Sequence, residues 1–295
     1  MAVFVWFCTE LAHIFFLTEP LSFLQSVSIL RNKNREIETV YRFVGLADCL
    51  LSVYYLREEL PYYCLPEKAD KGHRLEGEEI YHPLIEGCVP NSVIIKEKSV
   101  LLNGSNMSGK TTFIRIIGIN VLLAQTLHTA FARTFALSAP IKIYSALMLA
   151  DDLSEGKSFY MKEVDTIKEM ISRSQEGTAN LFLFDEIFKG TNTTERIAVA
   201  KAVLSYLNTT DNIIVASTHD AELATLLDTE YDLYHFSEVI QDETFSFDYK
   251  LKSGPLYQRN AIRLLEINGF PPTVIRDAYR TIEKISYPPT STQPL

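Results

Sequence analysis

Residues Gly104 to Thr112 read GSNMSGKTT, a spacing suited to holding polyphosphate. Gly104 and Gly109 allow the backbone to curl until successive N–H groups converge on phosphate oxygens, and a helix starting at Lys110 adds its positive N-terminal end. Lys110 offers a charge to β- and γ-phosphates, and the Thr111 hydroxyl offers a ligand to Mg²⁺. Ser105, Asn106, Met107, Ser108 and Thr112 complete the cradle. The expected ligand is a nucleoside triphosphate with Mg²⁺.

Two further constellations suit that ligand. Leu181 to Phe184 are four apolar residues followed by Asp185 and Glu186, so both carboxylates emerge at the end of a buried strand. Asp185 would hold Mg²⁺, and Glu186 would act as general base toward an attacking water. Ser217-Thr218-His219-Asp220 follows another apolar run, Ile213 to Val215. There His219 would sense the γ-phosphate or orient the water, while Thr218 or Asp220 could equally cap a helix. Lys110, Glu186 and His219 form the catalytic set. The other histidines His13, His73, His128 and His235 have no partner visible in the sequence.

These residues need a sheet that brings strand ends together. Candidate strands are 99–103, 142–149, 180–184, 212–217 and 231–236. Candidate helices are 110–125, 159–174, 194–207 and 221–227. Short apolar strands alternating with helices of this length imply a mostly parallel sheet covered on both faces, in an α/β fold of the P-loop nucleotide-hydrolase type. Ligands of such sheets bind beyond the carboxyl ends of the strands. Phe245, Phe247, Tyr249 and Leu251 alternate with polar residues, which predicts a half-exposed antiparallel strand over 243–251. Helices are expected over 261–268 and 273–285. Upstream, Val40, Phe43, Val44, Ala47, Leu50, Leu51 and Tyr54 paint one helical stripe, closed by Pro61 and Pro66. The expected organisation is a helical segment at 1–66, a polar linker at 67–79, the nucleotide-binding domain at 80–286 and a loose Pro/Ser/Thr-rich tail at 287–295.

Bulk properties narrow the partners. A net charge of −9 and a charged fraction of 22% argue against a broad basic nucleic-acid surface within the chain. The four cysteines, Cys8, Cys49, Cys64 and Cys88, form no C-x-x-C pair, so neither zinc nor a disulfide framework is indicated, and a reduced cytoplasmic setting fits. The apolar stretch 1–30 is interrupted by Glu10, His13 and Glu19 and has no basic lead-in. No uninterrupted apolar window within it is long enough for a spanning helix, so it reads as a buried helix, with membrane association as the competing reading. A chain opening this way also suits a piece of a longer protein.

The motifs together resemble the ATPase domain of the MutS family, the DNA mismatch-recognition proteins. The resemblance runs over about 80–285 and more weakly back to Phe43. It rests on Asn106-Met107 within the phosphate loop, on Ala150 to Met161 (ADDLSEGKSFYM), on Asp185 to Asn192 (DEIFKGTN) and on Ser217-Thr218-His219. It also rests on Tyr81-His82-Pro83 and on Gly269 to Ile275 (GFPPTVI), which is similar to the family's turn near its dimer interface. Gly45 to Leu50 and Tyr63 to Pro66 look like the end of the family's core helices. The resemblance implies Mg²⁺-dependent ATP hydrolysis by a homodimer with two composite sites. In such a dimer Ser158, at a helix start, would reach the γ-phosphate held by the partner. It implies duplex DNA bound through regions outside this segment and a MutL-like repair partner. Ser105 and Ser108 stand where the family usually has Pro and Gly, Lys189 where it has Arg, and Cys88 where an aromatic commonly stacks on adenine.

Mismatch repair is therefore the leading expectation, and a MutS-related motor with a membrane or structural role is the alternative. A transporter-type or SMC-like ATPase is disfavoured because no LSGGQ-like element precedes the acidic strand. A small GTPase is disfavoured because no N-K-x-D element follows the loop.

Overall fold

The computed structural model describes residues 1–15, 18–70, 74–105, 107–147, 159–177, 179–188, 191–241, 244–256 and 261–286. It divides into two compact units, Met1–Glu59 and Leu60–Leu295.

The first unit is three helices, α1 (Ala2–Phe15), α2 (Thr18–Asn32) and α3 (Asn34–Glu59). The described side chains of α1 are all exposed, including Phe4, Trp6 and Phe7, and α3 buries none. This corrects the expectation of a buried N-terminal helix. Apolar residues surround α1, and among the described residues of this unit the helices meet chiefly their chain neighbours.

The second unit carries β1 (Glu67–Lys68), β2 (Leu75–Ile80), β3 (Asn91–Ile95), β4 (Ser99–Asn103), α4 (Lys110–Thr126), β5 (Thr134–Leu137) and β6 (Lys142–Ala146). It continues through α5 (Phe159–Ser174), β7 (Asn180–Asp185), α6 (Thr193–Leu207), β8 (Ile213–Thr218), α7 (Ala221–Leu226) and β9 (Tyr231–His235). It closes with β10 (Glu238–Gln241), β11 (Thr244–Phe247), β12 (Lys252–Ser253), α8 (Ala261–Ile267) and α9 (Pro272–Ser286).

The main sheet runs β12-β9-β4-β8-β7-β6. Every pairing in it is parallel except the short edge strand β12. Its central strands β4, β8 and β7 are apolar in their middles and buried along nearly all their length because both faces are covered. Val100, Leu102, Leu181, Leu183 and Val215 face a core shared with α4, while Leu101, Phe182, Phe184, Ile214 and Ala216 face one shared with α6 and α7. At roughly 25 cal/mol per Å² of buried apolar surface, these two layers dominate the stability of the unit.

A second sheet, β1-β5-β2-β3, is mixed. It overturns the reading of 67–79 as a linker: Leu75 and Ile80 are fully buried at the two ends of β2. The glutamates and Gly77 between them hide the strand from a pattern search, since only two of its six positions are large and apolar. Arg74 ties this sheet to the main one, donating to the carbonyls of Lys96 (2.5 Å), Glu97 (2.6 Å) and Asn212 (2.5 Å).

The strand expected over 243–251 is also corrected. It ends at Phe247 in a hairpin with β10, because Tyr249 adopts a left-handed backbone (φ 51°). The side-chain amide of Asn91 serves there as a substitute strand: its Nδ2 donates to the Tyr249 carbonyl (3.0 Å) and its Oδ1 accepts from the Leu251 N–H (2.7 Å).

Candidate functional site

The site lies at the carboxyl ends of β4, β7 and β8, which are adjacent in the sheet. Asn103 ends β4, and its Oδ1 accepts the N–H of Gly104 (2.7 Å), which starts the turn. Gly104 takes φ 152°, and a Cβ there would lie 2.7 Å from the Phe236 carbonyl and 3.0 Å from Ser108 Oγ. Gly109 at φ 110° places the first turn of α4. Those two glycines are required by the path of the loop. Met107 also has a positive φ, 66°, and its side chain is 86% exposed. Thr112 lies within the first turn of α4.

Lys110 is only 4% exposed. Its ammonium donates to the carbonyls of Gly104 (2.8 Å) and Ser105 (2.7 Å) and lies 3.4 Å from His219 Nδ1. Burial of a charge needs such partners. The hydroxyl oxygens of Ser105 and Ser108 are buried and have no hydrogen-bond partner among the described residues. Such orphaned donors next to curled backbone suit an anion that accepts from them.

Asp185 sits between two hydroxyls. Thr111 donates to Oδ2 at 2.8 Å and Ser217 donates to Oδ1 at 2.7 Å. Glu186 and Phe188 follow in the left-handed region (φ 59° and 61°), an uncommon conformation for bulky side chains. The turn is held from α5, where buried Glu163 accepts the Phe188 N–H at 2.5 Å. Glu186 is thereby turned toward His219, whose Nε2 contacts its Oε1. On the other side, His219 Nδ1 lies 2.8 Å from the Gly104 carbonyl.

The structure thus brings together Gly104, Ser105, Ser108, Gly109, Lys110, Thr111, Asp185, Glu186 and His219. Asn106 and Ser158 lie outside the described residues, as do Lys189 and most of the stretch from Ala150 to Met161. Ser217 and Asp220 lie in the stretch that the sequence singles out around His219, whereas Arg196 and Tyr249 carry no signal of a site role in the sequence. Ser217 was readable in principle, since it ends a strand that must lie beside the acidic one.

Next to the loop, a cleft of about 330 Å³ is lined by Ile85, Cys88, Asn91, Gly109, Phe236 and Tyr249. The Tyr249 ring lies against Gly109, 3.3 Å from where a Cβ would be. Cys88 has a structural contact: its sulfur accepts the His82 N–H at 3.4 Å. His82 accepts the Leu84 N–H on Nδ1 (3.2 Å). Burial, with Arg115 nearby, holds its imidazole below the usual range.

A model of the family described as MutS domain V matches residues 100–286, more than half of the chain. The chain is 30% identical over 240 residues to the DNA mismatch repair protein MutS of a Synechococcus species, covering 76% of this chain and 27% of that protein. It is 29% identical over 236 residues to the MutS of Lactobacillus delbrueckii subsp. bulgaricus, with the same shares of each chain. Against the MutS of Streptococcus pyogenes it is 27% identical over 277 residues, covering 88% of this chain and 32% of the relative. It spans a third or less of the length of these relatives. With the family's domain matched across both residues 104–112 and the acidic strand end, the chain belongs to the MutS domain V family.

Proposed function

We propose that this chain is a P-loop ATPase unit of MutS type, binding ATP with Mg²⁺ and hydrolysing it within a homodimer that acts in DNA mismatch repair. The observation that supports this best is the convergence of Lys110, Thr111, Asp185, Glu186 and His219 at three neighbouring strand ends, where ligands of open α/β sheets bind.

In this reading residues 104–112 cradle the phosphates, with Lys110 trading its carbonyl partners for phosphate oxygens. Thr111 and Asp185 hold Mg²⁺. One carboxylate and one hydroxyl suit that ion, which keeps waters and shares the phosphates rather than demanding a full protein cage. When bound, Mg²⁺ supplies neutralisation of charge on the β- and γ-phosphate oxygens. Glu186 accepts a proton from the attacking water, and His219 fixes the Glu186 carboxylate while reporting on the loop through the Gly104 carbonyl. The adenine lies in the cleft against Tyr249, an aromatic face that compensates for Cys88. Ser158 reaches the partner's nucleotide, and residues 80–286 form the motor. The relatives' names give only DNA mismatch repair; to that setting the proposal adds duplex DNA engaged through regions outside this segment, a MutL-like partner, and a cytoplasmic location in keeping with four free cysteines.

Nucleotide binding and phosphate release by the purified chain with Mg²⁺–ATP test the ATPase reading. Saturable binding that is lost in Lys110→Ala is expected, and no binding in the wild type would sink it. A mismatched duplex, with and without ATP, tests the repair reading in the full-length protein; an affinity indifferent to ATP would overturn it. The exposed aromatics of α1 favour a second reading in which the motor serves at a membrane surface. No described helix is long and apolar enough to span a membrane, so that reading requires binding to vesicles, measured by flotation.

A further inference from the structure

Arg196 and Asp220 form a two-pronged ion pair across the back of the site. Nη2 donates to Oδ1 at 2.7 Å and Nε donates to Oδ2 at 3.1 Å. The side chains are 25% and 14% exposed, so the pair is largely shielded from water. Both residues line the same small cavity as Glu186, Ser217 and His219. Arg196 belongs to α6, the helix that follows the acidic loop, and Asp220 is the residue after His219. The pair thus joins the two segments that carry Glu186 and His219.

Asp220 occupies the N-cap position of α7, where an aspartate ordinarily accepts a backbone N–H of the first turn. Here its side chain makes no such bond. The carboxylate is turned to Arg196 instead, while the Asp220 N–H is held by Thr218 Oγ1 at 3.0 Å and its carbonyl accepts the Ala224 N–H at 3.3 Å. The bond to Asp220 holds the Arg196 guanidinium above its ordinary pKa, and the nearby Glu186 carboxylate adds to this. A planar fork gripping both carboxylate oxygens fixes direction as well as distance, which a lysine does not.

We propose that the Arg196–Asp220 pair is a positioning latch: it holds the His219 loop against α6 so that the imidazole stays between the Gly104 carbonyl and Glu186. Arg196 touches neither nucleotide nor water in this scheme and acts through His219. The inference deepens the ATPase reading and rests on it for its kinetic consequences. The register between His219 and Glu186 is a property of the protein without nucleotide.

The test therefore has two arms. In steady-state hydrolysis, Arg196→Ala and Asp220→Asn are each expected to lower kcat about tenfold while ATP affinity stays within about threefold. The double variant should be no slower than the worse single, because both remove one interaction. Arg196→Lys keeps charge and bulk and should recover less than half of the lost rate. Unchanged kcat in either single variant, losses that multiply in the double, or full recovery by lysine would each overturn the latch. The second arm reads the nucleotide-free protein by NMR of labelled histidine rings. The His219 resonances should move in both single variants while those of His128 stay fixed, and an unmoved His219 overturns the latch. If the wild type hydrolyses no ATP but His219 moves, the latch stands and the ATPase reading falls.

Discussion

Ser217 and Asp185 are partners in the parallel register of β8 and β7, and the serine hydroxyl donates to Asp185 Oδ1 at 2.7 Å. The sheet itself thus fixes the orientation of the carboxylate, leaving Thr111 to take the other oxygen.

Loss of that support should be felt at the metal. Ser217→Ala is expected to raise the Mg²⁺ concentration for half-maximal ATP hydrolysis roughly tenfold, the scale on which supporting hydrogen bonds tune metal sites. A chelator should abolish turnover. A Mg²⁺ titration of phosphate release checks this, and superimposable curves would falsify the assignment of Asp185.

Glu186→Gln keeps the size of the side chain and an oxygen for His219 but removes the base. Turnover should fall by about 100-fold or more, with ATP affinity changed only a few-fold. Measuring single-turnover hydrolysis beside equilibrium binding separates the two. A hydrolysis rate near wild type would remove Glu186 from the mechanism.

Asn91→Ala removes both hydrogen bonds that hold the chain at Tyr249 and Leu251. The cost should be about 2 kcal/mol, or a fall in Tm of about 4–8 °C for a unit of this size, together with weaker discrimination of adenine from other bases. Calorimetry and a panel of nucleotides measure these, and an unshifted melt would show that the segment is held by other contacts.

Cys64 is half-buried, and burial, with Glu67 adding to it, pushes its thiol up from 9.0 to about 11. The folded chain therefore holds this proton more tightly than the unfolded one. The associated stability is present below about pH 9 and is lost as pH rises toward 11. At pH 8 the thiolate fraction is about 100-fold below that of an ordinary thiol, so exposed Cys8 and Cys49 should alkylate well before Cys64. Peptide mass spectrometry of a timed iodoacetamide reaction reads the order, and equal rates would contradict it.

The turn at 104–109 and the acidic end of β7 were legible as local structure because each is local: a buried strand, a turn and a helix start within a dozen residues. What escaped was carried by residues distant in sequence or by mixed patterns. Arg196 and Asp220 are 24 positions apart, and either alone reads as an ordinary surface charge or helix cap. The strand β2 escaped because glutamates occupy its exposed positions. Tyr249 stood in a pattern that correctly suggested a strand nearby. Only the amide of Asn91, 158 positions earlier, shows why the chain turns there instead of continuing.

That same separation has a consequence for synthesis. Asn91 and the phosphate loop leave the ribosome long before Tyr249, and domains fold as units once their parts are available. A nascent chain ending at β9 could already form most of the parallel sheet and the loop, yet it would have only one wall of the cleft. Completion of the cleft therefore marks the arrival of the last strands, and a ligand that needs both walls would report whether translation has passed residue 251.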